Sequence, residues 1–354
     1  MKTLRRISLL FLLCSIPALS QRNTSALERL LQAEASRIPA RVGIFVKHLP
    51  SGEEAAVRAD DLFNSASTRK IPIMIMAFQQ VDQGKLDLNE QTTIERSDIR
   101  GGTGVLQYHS PGNVVTLHDL ITEMIITSDN TATGIVMRKL GGPDTINKWL
   151  ADQKYETRTT WGSVDGLRRM FMLLNRAYGL ATDEEITALE YLRTNNPLFD
   201  NYHDLFQGTH QELADRVVAN ADRLAESIRR RSPDDQDYWT GRTTPREIGR
   251  FLESIERGTA ASRKSDLEMK HILLRQQLGS RRIPHFLNVP VGHKTGDVAP
   301  GVANDTGLVY ANSGVIVISF FTMGNTGPYA ETEDDIGRIS RLIVDYFDGK
   351  VMIE

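Results

Sequence analysis

Three short motifs carry residues that could form a covalent bond to a substrate carbonyl. They are Ser67-Thr68-Arg69-Lys70, Ser128-Asp129-Asn130 and Lys294-Thr295-Gly296, and each pattern (S-x-x-K, S-D-N and K-T-G) occurs once in the chain. A serine hydroxyl is a poor nucleophile until a neighbouring base takes its proton. A lysine can be that base when burial and nearby positive charge lower its pKa. The motifs therefore indicate acyl transfer through a serine nucleophile.

The spacing of the first motif places Ser67 and Lys70 about one turn apart on one face of a predicted helix N-terminus. Arg69, Lys294 and the helix end could each contribute positive charge that lowers the pKa of Lys70. The apolar run over residues 71–78 predicts that this helix is buried, and a buried lysine needs a reason to be there. A helix N-terminus also points backbone N–H groups toward a developing oxyanion.

The other two motifs allow simpler interpretations. Ser128 falls in a break between two predicted helices, where it could merely cap the second helix, and Asn130 could be a turn residue. Lys294 is predicted at the end of a strand, where Gly296 would let a substrate backbone approach the strand edge. Lys294 and Thr295 could then hold a carboxylate.

The elements that position these residues follow from apolar spacing and turn signals. Predicted helices span residues 25–38, 71 to about 84, 116–126, 131–140, 244 to about 256, and about 332–347. Predicted strands span residues 41–49, 55–58, 289–294, 302–310 and 314–322. The helix at 116 opens with a capping box, and the stretch 164–232 is predicted to be mostly helical.

Strands at both ends of the chain with helices between them predict an α/β (α+β) architecture. An antiparallel sheet built from both termini would carry flanking helices, and an all-helical lobe would be inserted into it. We assign residues 21–64 and 258–354 to the sheet lobe and 65–257 to the helical lobe, with an enlarged insertion at about 162–240. Small-molecule sites usually lie in the cleft between such lobes.

The first twenty residues predict a secretory signal peptide. A basic start, a short apolar run over residues 7–16 and the small-residue site Ala18-Leu19-Ser20 follow in that order. Cleavage would give a secreted or periplasmic protein with no stable membrane insertion. Cys14 is the one cysteine, so the mature chain would have no disulfide and no thiol chemistry. The net charge of -3, with both signs mixed along the chain, does not indicate a nucleic-acid partner.

The motifs resemble those of class A β-lactamases and related serine hydrolases of the same fold, from about Leu27 to the C-terminus. The supporting stretches are GGTGVLQY (101–108), SDNTAT (128–133), LGGP (140–143), TTP (243–245) and HKTG (293–296). The resemblance implies a β-lactamase/transpeptidase-like fold and opening of a β-lactam ring through an acyl-enzyme on Ser67. Lys70 would be the base, and Ser128 would relay a proton to the leaving nitrogen.

The resemblance also assigns the residues that hold the substrate. It implies that Asn130 binds the side-chain amide of the substrate, and that Lys294 and Thr295 bind its carboxylate. The backbone N–H groups of Ser67 and Asp297 would form the oxyanion hole.

One part of the class A pattern is missing. That class carries a glutamate in an omega loop, in the motif E-x-x-L-N, which activates the deacylating water. Alignment on Trp161 puts Gly162 at its position, and alignment on the Leu-Asn pair at 174–175 puts Phe171 there. In the first alignment Thr160 also replaces the arginine of the loop.

The insertion offers four carboxylates that could supply the missing base, namely Asp183, Glu184, Glu185 and Glu190. The first three fit a capping box that begins at Thr182, where acidic groups are favoured by the helix dipole. Glu190 fits a solvated helix charge.

Three functions therefore stay open. They are β-lactam hydrolysis, which we rank first, a D,D-peptidase or esterase-like acyl-serine hydrolysis, and a penicillin-binding sensor that deacylates slowly. The substrate would be a small β-lactam or a peptidoglycan-like molecule, and we expect a monomer. No cofactor is expected, and no metal either, because the eight histidines are scattered and no H-E-x-x-H occurs. His293 is expected to be a satisfied buried group and not a base.

Overall fold

The computed structural model describes residues 25–95, 98–100, 102–159 and 241–351. The strands in these ranges are β1 (Arg41–His48), β2 (Glu54–Val57), β3 (Phe63–Asn64), β4 (Gln91–Thr93), β5 (Val114–Thr116), β6 (Arg158–Thr159), β7 (Gly241–Thr243), β8 (Val291–Val298), β9 (Val302–Ala311) and β10 (Gly314–Met323). The helices are α1 (Ala26–Ala35), α2 (Lys70–Asp82), α3 (Leu117–Ile126), α4 (Asn130–Lys139), α5 (Gly142–Asp152), α6 (Pro245–Arg257), α7 (Arg263–Leu273) and α8 (Tyr329–Phe347). Short 3₁₀ turns occupy Ala66–Arg69 and Leu106–Tyr108.

The largest sheet has the strand order β2-β1-β10-β9-β8, and all neighbouring strands pair antiparallel. Its first two strands come from the N-terminal part of the chain and its other three from the C-terminal part. The predicted antiparallel sheet built from both termini is therefore confirmed. Among the described residues, strand β8 forms one edge of this sheet, and one side of its backbone has no neighbouring strand there.

Apolar side chains alternate along the strands and supply a core on each face of the sheet. On β10, Ile316, Ile318 and Phe320 belong to the core that α1 and α8 cover. Val317 and Phe321 point the other way, into the core that helices α2 to α7 share. The two terminal helices thus pack on one face, and the helical middle of the chain packs on the other.

Local capping signals begin and end several helices. The Thr116 hydroxyl accepts the N–H of Asp119 at 3.1 Å, and the Asp119 carboxylate accepts the N–H of Thr116 at 3.1 Å, which is the predicted capping box of α3. Thr244 caps the start of α6, and Gly258 ends it in the left-handed conformation. The predictions that correspond to α1, α2, α3, α4, α6 and α8 are confirmed, with small differences at the ends.

The structure differs from the prediction in several places, and the short strands β3 to β7 are absent from the prediction altogether. The Gly-Gly-Pro sequence at 141–143 ends α4 but also starts α5, since Gly141 is the N-cap of that helix, with φ 88°. Helix α7 is absent from the prediction, because its apolar stripe is narrow. Strand β8 continues through Val298, so the prediction that Lys294 ends the strand is wrong. The polar sequence there looks like a turn, but its pairing with β9 extends the strand.

Strands β6 and β7 stand at the two ends of the stretch 160–240, with Thr159 paired to Gly241. Three predictions concern residues outside the described ranges. They are the signal peptide (1–20), the helical insertion (about 162–240) and the two positions aligned with the missing glutamate, Gly162 and Phe171. Within the ranges that the structure describes, no helix has the length and apolar character needed to cross a membrane.

Candidate active site

Lys70 is the first residue of α2, and it is 0% exposed. Its Nζ donates hydrogen bonds to the Ser128 carbonyl at 2.7 Å, to Ser128 Oγ at 3.1 Å and to Asn130 Oδ1 at 3.1 Å. These three oxygen atoms hold the nitrogen in one place, and the Ser128 hydroxyl can donate as well as accept, so a neutral amine also fits the arrangement. The structure thus brings the first two motifs together around one amine.

Ser67 lies in the 3₁₀ turn directly before α2, and it is partly exposed. The preceding residue, Ala66, has φ 43°, in the left-handed region that residues other than glycine rarely adopt. Its N–H donates to Asn64 Oδ1 at 3.0 Å. Surrounding contacts therefore maintain a sharp turn that presents the serine.

Ser128 also has a left-handed backbone, with φ 56°. Its carbonyl accepts a hydrogen bond from Thr103 Oγ1 at 2.6 Å in addition to the one from Lys70. Thr103 belongs to the GGTGVLQY stretch, but sequence reasoning gives it no role, since nothing local indicates a contact 25 positions away.

Asp129 and not Ser128 caps α4. Its Oδ1 accepts the N–H of Ala132 at 2.8 Å, and its Oδ2 accepts the N–H of Leu106 at 2.7 Å. The side chains of Ser128 and Asn130 on either side both contact the lysine amine. The interpretation of Ser128 as a simple helix cap is therefore wrong.

Strand β8 passes directly against the turn that carries Ser67. A Cβ atom placed on Gly296 would lie 2.9 Å from the Ser65 carbonyl oxygen and 3.2 Å from Ala66 Cβ. Glycine at this position therefore lets strand β8 contact the turn that carries Ser67. This contact within the protein is a second reason for glycine at position 296, beside the expected approach of a substrate, which stays a prediction.

The other residues of the third motif are buried beside this contact. Lys294 and Thr295 are 0% exposed, and Lys294 Nζ donates to the Thr295 carbonyl at 2.9 Å. The Thr295 hydroxyl has no hydrogen-bond partner among the described residues. A buried polar atom without a partner costs about 1–3 kcal/mol, so this hydroxyl is suited to a ligand.

Burial lowers the pKa of Lys70 well below its ordinary value, and the positive charges of Lys294 and Arg69 lower it further. The carboxylates of Asp129 and Asp297 act in the opposite direction. Burial also lowers the pKa of Lys294 to about 7, against the effect of Asp297. Compared with an exposed lysine, Lys70 therefore holds a larger fraction of the neutral amine, the form that can accept a proton.

Asp297 follows Gly296 near the end of β8. Its carboxylate accepts hydrogen bonds from Arg282 and from the Tyr329 hydroxyl, the latter at 2.5 Å. Neither of these donors has a sequence signal, because both come from segments distant in the chain.

His293 is buried, and its Nδ1 lies 2.9 Å from Asp305 Oδ1. Asp305 also accepts the N–H of Ile283 at 3.1 Å. The expectation that His293 is a satisfied buried group is therefore confirmed. In the part of the chain that the structure describes, no three or more His, Cys, Asp or Glu side chains are grouped to hold a metal ion.

A sheet built from both termini, helices on both faces and the Ser67 turn packed against strand β8 together define the β-lactamase/transpeptidase fold. The sequence profile of the β-lactamase enzyme family matches residues 25–347, and the chain belongs to that family.

Individual relatives match over shorter stretches. The β-lactamase SME-1 of Serratia marcescens is 33% identical over 117 residues, which cover 31% of this chain and 37% of that protein. The β-lactamase Toho-1 of Escherichia coli is 26% identical over 157 residues, which cover 43% of this chain and 54% of that protein. The chain therefore spans about half the length, or less, of these curated relatives.

Solved structures match over more of the chain. A point mutant of PBP-A, solved as an acyl-enzyme complex with penicillin G, has a TM-score of 0.65 and 24% sequence identity. The match covers 91% of this chain and 96% of that chain. At this identity the likeness shows the fold, and it confirms the predicted β-lactamase/transpeptidase-like architecture.

Proposed function

We propose that this protein is a serine hydrolase that opens the β-lactam ring through an acyl-enzyme on Ser67. The observation that carries the proposal is the environment of Lys70. This fully buried amine contacts Ser128 and Asn130 and lies three residues after a partly exposed serine. Lysines are almost never fully buried without a reason, and a lowered pKa suits a general base.

The proposed reaction begins when neutral Lys70 takes the proton of Ser67 Oγ, which attacks the carbonyl carbon of the β-lactam. The backbone N–H groups of Ser67 and Asp297 hold the oxyanion that forms. Ser128 Oγ, 3.1 Å from Lys70 Nζ, donates its proton to the leaving nitrogen and receives one from the lysine. The C–N bond then breaks, and the acyl group remains as an ester on the serine.

The third motif is proposed to hold the carboxylate of the substrate. The Lys294 ammonium provides charge, and the Thr295 hydroxyl, which has no partner among the described residues, provides a donor. Asn130 is proposed to bind the side-chain amide. It shares its Oδ1 with Lys70, so substrate binding and the base are directly connected.

Replacing Lys294 by alanine should move the acidic limb of the pH profile of acylation to higher pH. Below its pKa of about 7, Lys294 is charged and lowers the pKa of Lys70. Without that charge the pKa of Lys70 rises, so the base becomes neutral only at higher pH. The limb is measured as kcat/KM for acylation by a chromogenic cephalosporin as a function of pH.

Lys148→Ala is the charge control for this experiment, because that exposed lysine pairs with Asp152 on the surface of α5. It should leave the acidic limb in place. A cephalosporin with an esterified carboxylate should show the same limb shift with Lys294→Ala but a smaller loss of affinity. An unshifted limb in Lys294→Ala would show that its charge does not act on Lys70.

Deacylation is proposed to be slow, because neither Gly162 nor Phe171 can activate a water. Help from a general base is worth roughly 10²–10⁴ in rate. We expect penicillin G to give a burst of one equivalent and then a low steady rate, with the intact penicillin mass persisting on Ser67. Stopped-flow absorbance and mass spectrometry of the same mixture measure both.

Rapid turnover without an adduct would contradict slow deacylation and point to a base in the insertion. Replacing Asp183, Glu184, Glu185 and Glu190 one at a time would then identify it as the position whose loss traps the acyl-enzyme.

The missing glutamate also favours a second candidate, a D,D-peptidase or a penicillin-binding sensor. Release of D-alanine from a peptidoglycan-like peptide would identify the peptidase. An adduct that forms but never turns over would identify the sensor.

We further propose that the first twenty residues direct export and are removed, leaving a monomer in the periplasm or outside the cell. The basic start, apolar run and small-residue site support this. We also propose the division into a sheet lobe (21–64 and 258–354) and a helical lobe (65–257), because the five strands of the largest sheet come from the two ends of the chain and helices α2 to α6 from the part between them.

A further inference from the structure

Arg282 is a buried cation outside the three motifs. It is 2% exposed and lies between α7 and β8 in the chain. Its guanidinium donates to the carboxylate of Asp297, to Glu333 Oε1 at 3.1 Å and to the Asn304 carbonyl at 2.7 Å. Two carboxylates and a carbonyl thus satisfy the positive charge of Arg282. The planar guanidinium, which forms a rigid fork of N–H donors, fixes these acceptors relative to one another.

One side of this fork holds Asp297. The Asp297 carboxylate also accepts the Tyr329 hydroxyl from the start of α8, at 2.5 Å. Two donors from different segments therefore hold this side chain near the end of an edge strand. The backbone of the same residue carries the N–H that the proposed function assigns to the oxyanion hole.

The other side of the fork is connected through Asn304 to the turn that carries Ser67. The Asn304 carbonyl accepts a hydrogen bond from Arg282. The side-chain Nδ2 of Asn304 donates to the Asn64 carbonyl at 2.9 Å. Asn64 in turn accepts the N–H of Ala66, the residue before Ser67. A continuous series of hydrogen bonds therefore runs from the side chain of Asp297 to the turn that holds Ser67.

We propose that Arg282 is a positioning residue that fixes the backbone of Asp297 relative to the Ser67 turn, and so sets the geometry of the oxyanion hole. The inference rests on the proposed function, because it assumes that both N–H groups bind the acyl oxygen. Two such donors on separate segments stabilise an oxyanion only when both lie at hydrogen-bond distance from it. The close approach at Gly296 brings the segments together, and Arg282 holds them in register.

The test is the carbonyl stretching frequency of the acyl-enzyme, measured by infrared difference spectroscopy with a ¹³C-labelled penicillin carbonyl. Hydrogen bonds from the oxyanion hole lower this frequency. In Arg282→Met, which keeps much of the apolar stem but removes the fork, the band should move to higher frequency and broaden. The acylation rate constant should fall about 10- to 100-fold. This is a smaller effect than the loss of a whole oxyanion-hole donor, which lowers the rate about 10²–10³-fold. The noncovalent Kd should change little.

Arg281→Met is the matched control. Arg281 is the adjacent residue and pairs with Asp334 on the exposed side of α8, at 2.5 Å. Its loss should leave both the carbonyl band and the acylation rate unchanged. An equal change in both variants would show that any disturbance of this segment acts on the site, and it would overturn the specific role of Arg282.

Tyr329→Phe gives a second reading if Arg282→Met does not fold, because it removes one donor to Asp297 and keeps the ring. A smaller upward shift of the same band would support the inference, and an unchanged band would overturn it. If the unaltered protein forms an acyl-enzyme and Arg282→Met changes neither the carbonyl band nor the acylation rate, the result contradicts this inference and leaves the proposed function in place. Absence of any acyl-enzyme in the unaltered protein would contradict the proposed function and the inference with it.

Discussion

A fluorescent penicillin should label the unaltered protein covalently and should not label the Ser67→Ala variant at all. In the proposed reaction the acyl group is attached through Ser67 Oγ, so the substitution removes the atom that would form the ester bond. Fluorescence after denaturing electrophoresis measures the labelling, and the intact mass of the protein identifies the adduct. Circular dichroism shows whether the variant keeps its fold.

Ser65→Ala is the matched control for this experiment. Ser65 lies two residues before the proposed nucleophile and is 0% exposed, and its Oγ has no hydrogen-bond partner among the described residues. Removing this hydroxyl should leave labelling intact. Undiminished labelling of Ser67→Ala would refute the assignment of Ser67 as the nucleophile. Loss of labelling in both variants would show that the substitutions act through the geometry of the turn.

Replacing Lys70 by methionine should lower the acylation rate constant by about 10²–10⁴, the usual cost of removing a general base. Methionine fills most of the buried volume but cannot accept the serine proton. Hydroxide can replace part of the missing base, so the residual rate should rise with pH without reaching a plateau. Single-turnover labelling over a range of pH measures this.

The lysine also holds the Ser128 loop through its hydrogen bonds, so stability has to be measured alongside the rate. Lys139→Met is the control, because this lysine of α4 pairs with Glu90 at 2.7 Å, outside the proposed site. It should acylate at the normal rate. A folded Lys70→Met that acylates equally fast would assign the lysine to a structural role.

Most of the fold could be predicted from the sequence because its signals are local. The apolar run of β10, the capping box at Thr116 and the proline at the start of α6 are each signals carried by a few neighbouring residues. Helix α7 and the continuation of β8 depend instead on partners distant in the chain. Their own sequences are too polar to show the burial that those partners create.

The candidate site divides in the same way. The motifs identify Ser67, Lys70 and Ser128, and burial of the lysine follows from the apolar run after it. The contact of Gly296 with the Ser65 carbonyl cannot be read from a tripeptide, because it joins segments more than two hundred residues apart. The same holds for Arg282, which looks like any arginine in a polar loop.

The pairing of Thr159 with Gly241 has a consequence for how this protein can evolve. These two strands fix the ends of the stretch 160–240 side by side, and each doubling of a loop costs only about 0.6 kcal/mol in closure entropy. A change in the number of residues between Thr159 and Gly241 therefore adds little closure entropy and is compatible with the pairing of these two strands. Arg69, the neighbour of Lys70, donates to the Thr159 hydroxyl and lies against Gly241. A stretch whose length can change at low entropic cost thus borders the proposed base, and changes there could alter the proposed deacylation while Ser67, Lys70 and Ser128 stay the same.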